Sequence, residues 1–196
     1  MKRLTYPKAM AAVLEGIGFE RNKDQWFRRS GMFEDNIDFQ VGKDLKDITA
    51  NARLRNFAVE IEISRASPPG EHIGILYPVY RRVPMLIDRH DRWWSRSDPD
   101  GPAQMAAAVR DYALPFLERL HSLEALKAYL EETGSIKWRD ATSRMYVAII
   151  LGLTGRTEEA VEALSDPPRW TSDPWLRTIE TLRQRIRDGM VVGGTG

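Results

Sequence analysis

Residues 36–41, Asn36-Ile37-Asp38-Phe39-Gln40-Val41, alternate polar and apolar side chains without a break. A period of two is the mark of a strand with one wet face and one buried face. The stretch predicts an antiparallel sheet with Ile37, Phe39 and Val41 turned inward. Asn36, Asp38 and Gln40 then line the polar side. The same pattern recurs in Asn56-Phe57-Ala58-Val59-Glu60-Ile61-Glu62-Ile63. Read as a strand, this second stretch places Glu60 and Glu62 on the wet face, beside Asp38 and Gln40.

Upstream, Gly18-Phe19-Glu20-Arg21-Asn22-Lys23-Asp24-Gln25-Trp26-Phe27-Arg28-Arg29-Ser30 reads as a helix end, a turn and the first strand of a hairpin. In that strand Trp26 and Arg28 share one face, and Phe27 and Arg29 the other. The expectation is that Phe27 packs inward and Trp26 lies toward the polar face. A register slip of one residue reverses the two. Ser30-Gly31 suits a hairpin turn, and Gly42-Lys43-Asp44 a loop. Before this region, residues 7–17 predict a helix with Pro7 in its first turn, Met10, Leu14 and Ile17 on one side, and Gly18 as its cap.

Downstream, residues 65–74 carry paired prolines and two glycines, a clear break. A further strand over Ile75–Tyr80 is expected at a sheet edge, because Pro78 cannot donate to a ladder. After a second break at residues 95–102 the chain turns helical. Residues 101–120 predict a helix kinked at Pro115. Ser122 caps a helix through Glu132, residues 138–153 are strongly apolar, and Thr157 caps the next helix. Asp173-Pro174 opens a last one to about Asp188, with Leu176, Ile179, Leu182 and Ile186 as its buried stripe. Around residues 146–168, Ala148, Gly155, Ala160, Leu164 and Pro167 resemble the packing positions of one tetratricopeptide-type hairpin. No second copy occurs, and a solenoid needs about three.

The expected fold is therefore α+β. An antiparallel sheet of about four to five strands occupies the N-terminal half (1–97) with its helices. An all-helical part with one tetratricopeptide-like hairpin follows over 98–188, packed on the sheet as one unit, and 189–196 form a mobile tail.

The chain has 196 residues, enough to bury a real core. Its net charge of +1 argues against a general nucleic-acid coat and against an acidic nucleic-acid mimic. With no cysteine, disulfides, thiolate metal sites and cysteine nucleophiles are excluded. Pro7, Lys8 and Glu15 interrupt any signal-peptide core, and no apolar run approaches the roughly 18–20 residues of a membrane helix. The reading is cytoplasmic and soluble, with no membrane partner.

Several landmarks occur in a fixed order. GFERNKDQWFRR is followed by Asn36–Gln40, then NFAVEIEI, then YRRVPMLIDRHDRWW, then a helix holding Tyr112-Ala113-Leu114-Pro115-Phe116-Leu117. This order resembles the bacterial family labelled domain of unknown function 4304, over about residues 5–130. Trp26, Gln40, Trp93-Trp94 and Leu114-Pro115-Phe116-Leu117 carry the likeness. It implies an α+β fold and no assigned catalytic residues. Small bacterial families of this style include immunity proteins that neutralise a toxin, which points toward binding.

Residues 80–96 hold Arg81, Arg82, Arg89, Arg92 and Arg96 against Asp88 and Asp91, a local excess of three positive charges. Guanidinium forks grip carboxylates or phosphates, and Trp93 or Trp94 can stack on a cation or a base. The competing reading has one tryptophan anchoring the sheet to the helices, while the arginines pair with nearby acids. His72, His90 and His121 lack metal-ligand spacing, and no nucleophile elbow or phosphate cradle occurs. No cofactor or metal is expected. Glu60 and Glu62 can act as an acid–base pair if one is desolvated, or form a solvated face, or pair with Arg28, Arg53 or Arg55. In the last helix Arg183 and Arg187 share a solvated face near its C-terminus.

These features lead to a non-enzymatic binding protein of bacterial type, with an immunity-like module neutralising a protein partner as its specific form. Its expected binding residues are Trp26, Gln40, Glu60, Glu62, Arg81, Arg82, Arg92, Trp93 and Trp94. One alternative is a small enzyme using Asp38, Gln40, Glu60 and Glu62. The other is a weak nucleic-acid binder through residues 81–96.

Overall fold

A computed structural model describes residues 5–70, 77–133, 141–167 and 172–190. Contacts divide the chain into two compact units. One comprises Met1–Arg55 and Val79–His121, the other Asn56–Pro78 and Ser122–Gly196. The boundary expected at residue 97 falls inside the first unit.

The first unit begins with α1 (Tyr6–Leu14), which carries Pro7 in its first turn and buries Met10 and Leu14 completely. A 3-10 turn (Glu15–Ile17) ends on Gly18, whose φ of 87° is the left-handed geometry that suits glycine. Ile17 is exposed rather than buried, since this turn breaks the helical period. Among the described residues six strands follow: β1 (Glu20–Asn22), β2 (Gln25–Ser30), β3 (Phe33–Val41), β4 (Asp47–Asn56), β5 (Val79–Arg82) and β6 (Trp94–Ser95). They form one sheet in the order β1-β2-β3-β4-β5, with β6 also on β4. β2 pairs antiparallel with β3 in the register Trp26↔Ile37 and Arg28↔Asp35, closed by the Gly31-Met32 turn. β5 pairs antiparallel with β4 as Asn51↔Arg82 and Arg53↔Tyr80. It starts directly after Pro78 and lies at the sheet edge, as the proline requires. Residues 75–76 of the strand expected there lie outside the described residues.

Helix α3 (Val83–Ile87) leads to β6, and α4 (Gly101–Ala108) begins against α1. A Cβ at Gly101 would collide with the Tyr6 hydroxyl, which donates to the Ser95 carbonyl at 2.9 Å. The kink expected at Pro115 takes the form of a π turn (Val109–Ala113) running into α5 (Leu114–Glu118). Widening the helix there accommodates a ring that has no N–H and crowds the preceding turn.

The second unit corrects the reading of residues 57–63. They are not a strand but the start of α2 (Phe57–Ala66), capped by the Asn56 side chain, which accepts from the Val59 N–H at 3.2 Å. Val59, Ile63 and Ala66 are buried with Glu62, while Ile61 is 44% exposed. The positions shared by both periods, Val59 and Ile63, made the stretch look like a strand. The strand that follows β3 is Asp47–Asn56 instead, whose Asn51, Arg53 and Arg55 hid it from a hydropathy reading.

Among the described residues four further helices belong to this unit: α6 (Leu123–Glu132), α7 (Ala141–Leu153), α8 (Thr157–Ala163) and α9 (Asp173–Arg187). Ser122 caps α6, accepting from the Ala125 N–H at 3.1 Å. α7 and α8 form the expected helical hairpin around Gly155, with Ala148, Ala160 and Leu164 buried. Arg156, not Thr157, is the N-cap position of α8, and Ser172 that of α9. In α9, Ile179, Leu182 and Ile186 are buried as expected, whereas Leu176 is exposed. Trp138 lies outside the described residues, as do His72 and most of the tail. Among the described residues no helix is long and apolar enough to cross a membrane.

Candidate functional site

The polar row of β3 exists, but it is buried rather than wet. Glu34, Asn36 and Asp38 are at most 4% exposed, and Gln40 is half-buried. Antiparallel neighbours supply their partners. Asp38 accepts from Asn51 Nδ2 at 2.7 Å and pairs with Arg53 at 2.5 Å. Glu34 pairs with Arg55 at 2.7 Å and with Arg29 at 3.3 Å. The Tyr80 hydroxyl donates to Asn51 Oδ1 at 3.0 Å and lies 3.3 Å from Gln40 Oε1. Burial pushes the Asp38 carboxyl above the ordinary Asp value, and the Asn51 hydrogen bond and Arg53 charge, which pull it down, only partly offset this. Sheet neighbours thus consume the carboxylate charges of this face.

The opposite face of β3 holds a cluster that no sequence pattern announced. Asp35 is fully buried, and its Oδ2 accepts from Arg28 Nη2 at 2.8 Å and Nε at 3.0 Å. Its Oδ1 lies 2.7 Å from His121 Nε2, in the turn that follows α5. His121 stacks on Phe33 with ring centroids 5.3 Å apart, and Arg28 also meets Glu118 at 3.3 Å. Asp35 and His121 stand 86 residues apart, so only the tertiary fold brings them together.

Trp26 and Phe27 are reversed relative to expectation. Trp26 is fully buried, on the face of Ile37 and edge-on to Phe39 at 5.2 Å, while Phe27 is half-buried on the polar side. By the register Trp26↔Ile37, the apolar residues Ile37 and Phe39 of β3 lie on the face of Trp26 and make it the core. Trp26 is therefore not a surface available to a partner.

Glu60 and Glu62 do not belong to the sheet face; both are helical and lie in the second unit. Glu62 is buried, and each of its oxygens is committed: Oε1 to Arg65 at 2.6 Å and Oε2 to Arg185 at 2.7 Å. Glu60 accepts from the Tyr146 hydroxyl at 3.2 Å. The suggested pairing with Arg28, Arg53 and Arg55 gives way to pairing of those arginines with Asp35, Asp38 and Glu34.

The arginine–tryptophan segment beside β5 keeps a surface. Trp94, in β6 opposite Ile48 of β4, is buried, whereas Trp93 is half-buried with the Arg82 guanidinium over its ring at 5.1 Å. Arg82 pairs with Asp91, and Arg92 with Asp88. The Arg96 side chain donates to the Leu45 carbonyl at 2.9 Å. Arg81 is half-buried on β5, on the opposite side of the strand from Arg82. Arg89 stands exposed at a left-handed φ of 64°, flanked by exposed His90, and Tyr80 is 42% exposed.

Besides a hollow of about 490 Å³ at Lys46, Asp47, Ser95, Arg96 and Ser97, two cavities open among the described residues. One, of about 420 Å³, opens in the first unit at the end of the sheet core. The other, of about 580 Å³ in the second unit, has Val147 and Leu151 as its floor and Glu131, Glu158, Glu159 and Glu162 at its rim. Among the described residues no group of three or more acidic or imidazole side chains converges as a metal site. Comparison of the chain with protein-family models, curated proteins and solved structures gave no match in any of the three.

Proposed function

We propose that the chain is a non-enzymatic binding module that holds an acidic protein partner on the arginine–tryptophan shoulder beside β5, in the manner of an immunity-like protein of bacterial type. One contrast carries this reading. The carboxylates of Glu34, Asp35, Asp38 and Glu62 are all held by cations within the fold. Arg89, Trp93 and Tyr80 meanwhile present cationic and aromatic surface on or next to an edge strand, with Arg92 exposed beside them in a pair with Asp88. Arginine, tyrosine and tryptophan are the residues that concentrate binding energy in protein interfaces. Pairing of Arg82 and Arg92 with Asp91 and Asp88 pre-orders those side chains, which lowers the entropy lost on binding.

The test uses the product of the gene adjacent to this one. Co-expression is expected to protect cells from that product when it is toxic, and calorimetry to show direct binding. The double substitution Arg89→Glu and Arg92→Glu should weaken binding at least about tenfold while leaving the circular dichroism unchanged. Protection and affinity that survive the double reversal would remove the shoulder from the proposal. Binding to a single-stranded oligonucleotide at low salt, where the phosphate contribution is largest, would favour the nucleic-acid reading instead.

A further inference from the structure

The inward row of β3 is sealed in its middle and open at its end. Asp35 and Ile37 are fully buried on that row, Phe39 is half-buried, and Val41 is 42% exposed. The apolar core thus runs out into the cavity of about 420 Å³, whose floor is formed by Phe39, Val41, Ile48 and Tyr6. That volume falls within the range of small-molecule sites, and a mostly apolar floor with a few polar groups is their usual lining.

The charges at the mouth give the site its chemistry. Among the described residues Asp24 in the β1–β2 turn, Asp98 and Arg96 are the charged groups that line it, with one net negative charge. Arg96 points a guanidinium nitrogen at the Leu45 carbonyl, 2.9 Å away. Asp98 uses Oδ1 to accept the Asp100 N–H at 2.9 Å, and among the described residues its Oδ2 has no hydrogen-bond partner. Among the described residues the Asp24 carboxylate has no hydrogen-bond or ion-pair partner. The rings of Tyr6 and Phe39 below add faces that attract cations.

We infer that this cavity binds a small organic monocation with an apolar, ring-sized body, the body seated on Phe39, Val41 and Ile48 and the charge between Asp24 and Asp98. The site is separate from the arginine–tryptophan shoulder and does not depend on that reading.

Three probes of matched shape test it by nuclear magnetic resonance titration of the full chain: 2-phenylethylamine, 2-phenylethanol and 3-phenylpropanoate. Ligands of this size bind in about the millimolar range. The amine is expected to bind about fivefold tighter than the alcohol and at least about tenfold tighter than the acid, with the preference shrinking as salt is raised. Shifts should centre on Asp24, Phe39, Val41 and Ile48. Asp24→Asn with Asp98→Asn should bring the amine down to the affinity of the alcohol, leaving the alcohol unchanged. Val41→Trp, at an exposed position, should block all three probes. Equal binding of the three, shifts centred elsewhere, no saturation by the amine, or an amine affinity indifferent to the double substitution would each overturn the inference.

Discussion

Trp26 occupies the core, where among the described residues its indole N–H meets no acceptor, and this sets the cost of replacing it. Trp26→Ala opens a large cavity and should cost about 3–5 kcal/mol. Trp26→Phe leaves a smaller void and removes a buried donor that has no acceptor, so its cost should stay below about 1.5 kcal/mol. Urea unfolding of the two variants checks the order, and equal losses would mean that the indole nitrogen is satisfied in solution. Asp38 adds a pH dependence. Its carboxyl is raised above the ordinary Asp value of 3.8, mainly by burial. A raised acid binds its proton more tightly in the folded state. Its contribution is therefore fully present below the unfolded value and is lost as pH rises through the folded one. Wild type should lose stability relative to Asp38→Asn as pH rises from the ordinary Asp value toward neutrality. A urea series across that range reads the slope, and an increasing margin for wild type would contradict it. The placement of Asp38 on one face with Asn36 and Gln40 was legible in the alternation of residues 36–41; its burial and its partners Asn51 and Arg53 were not. Alternation separates the two faces of a strand but says nothing about what covers each face.

Helix α2 shows how far periodicity reaches at the scale of an element. FAVEIEI satisfies period two throughout and period 3.6 at Val59 and Ile63, so the run alone leaves both readings open. The discriminating residue is Asn56, which closes β4 and caps α2 with one side chain. Asn56→Ala should cost about 1 kcal/mol, and Asn56→Asp should restore most of it. A strand continuing through this point would instead gain from Asn56→Val, because branched residues favour strands. Thermal unfolding of the three variants separates the outcomes. Elements with strong punctuation were legible: Pro7 and Gly18 around α1, Ser30-Gly31 in the hairpin, Ser122 before α6, and Pro115 at the π turn. β4 was not, because Arg53 and Arg55 look like loop residues until Asp38 and Glu34 on β3 are placed beside them. The Asp35–His121 contact was illegible for a related reason, since nothing near either residue requires the other.

At the scale of the whole molecule, each unit is built from two separate pieces of chain. Residues 56–78 leave the first unit between β4 and β5, which pair with each other, and contribute α2 to the second. Composition shifts mark linear boundaries, so residues 95–102 looked like a division, while the actual crossings sit at a helix cap, at a proline and beside His121. Inside the second unit α2 is tied to α9 by Glu62 with Arg185 and to α7 by Tyr146 with Glu60. Its stability should therefore follow α9 and not the strands that flank it in sequence. Native-state hydrogen exchange at low denaturant tests this with two core truncations. Leu182→Ala removes a fully buried side chain of α9, and Ile37→Ala one of β3. Each should destabilise its own unit by about 2–5 kcal/mol. Leu182→Ala should lower the protection of the α2 amides over Val59–Ala66 and spare those of β3; Ile37→Ala should do the reverse. Regions that open separately show such independent losses, whereas a single cooperative unit loses protection everywhere at once. Uniform loss under both substitutions would show that the two units unfold as one, and loss in α2 under Ile37→Ala alone would assign that helix to the sheet.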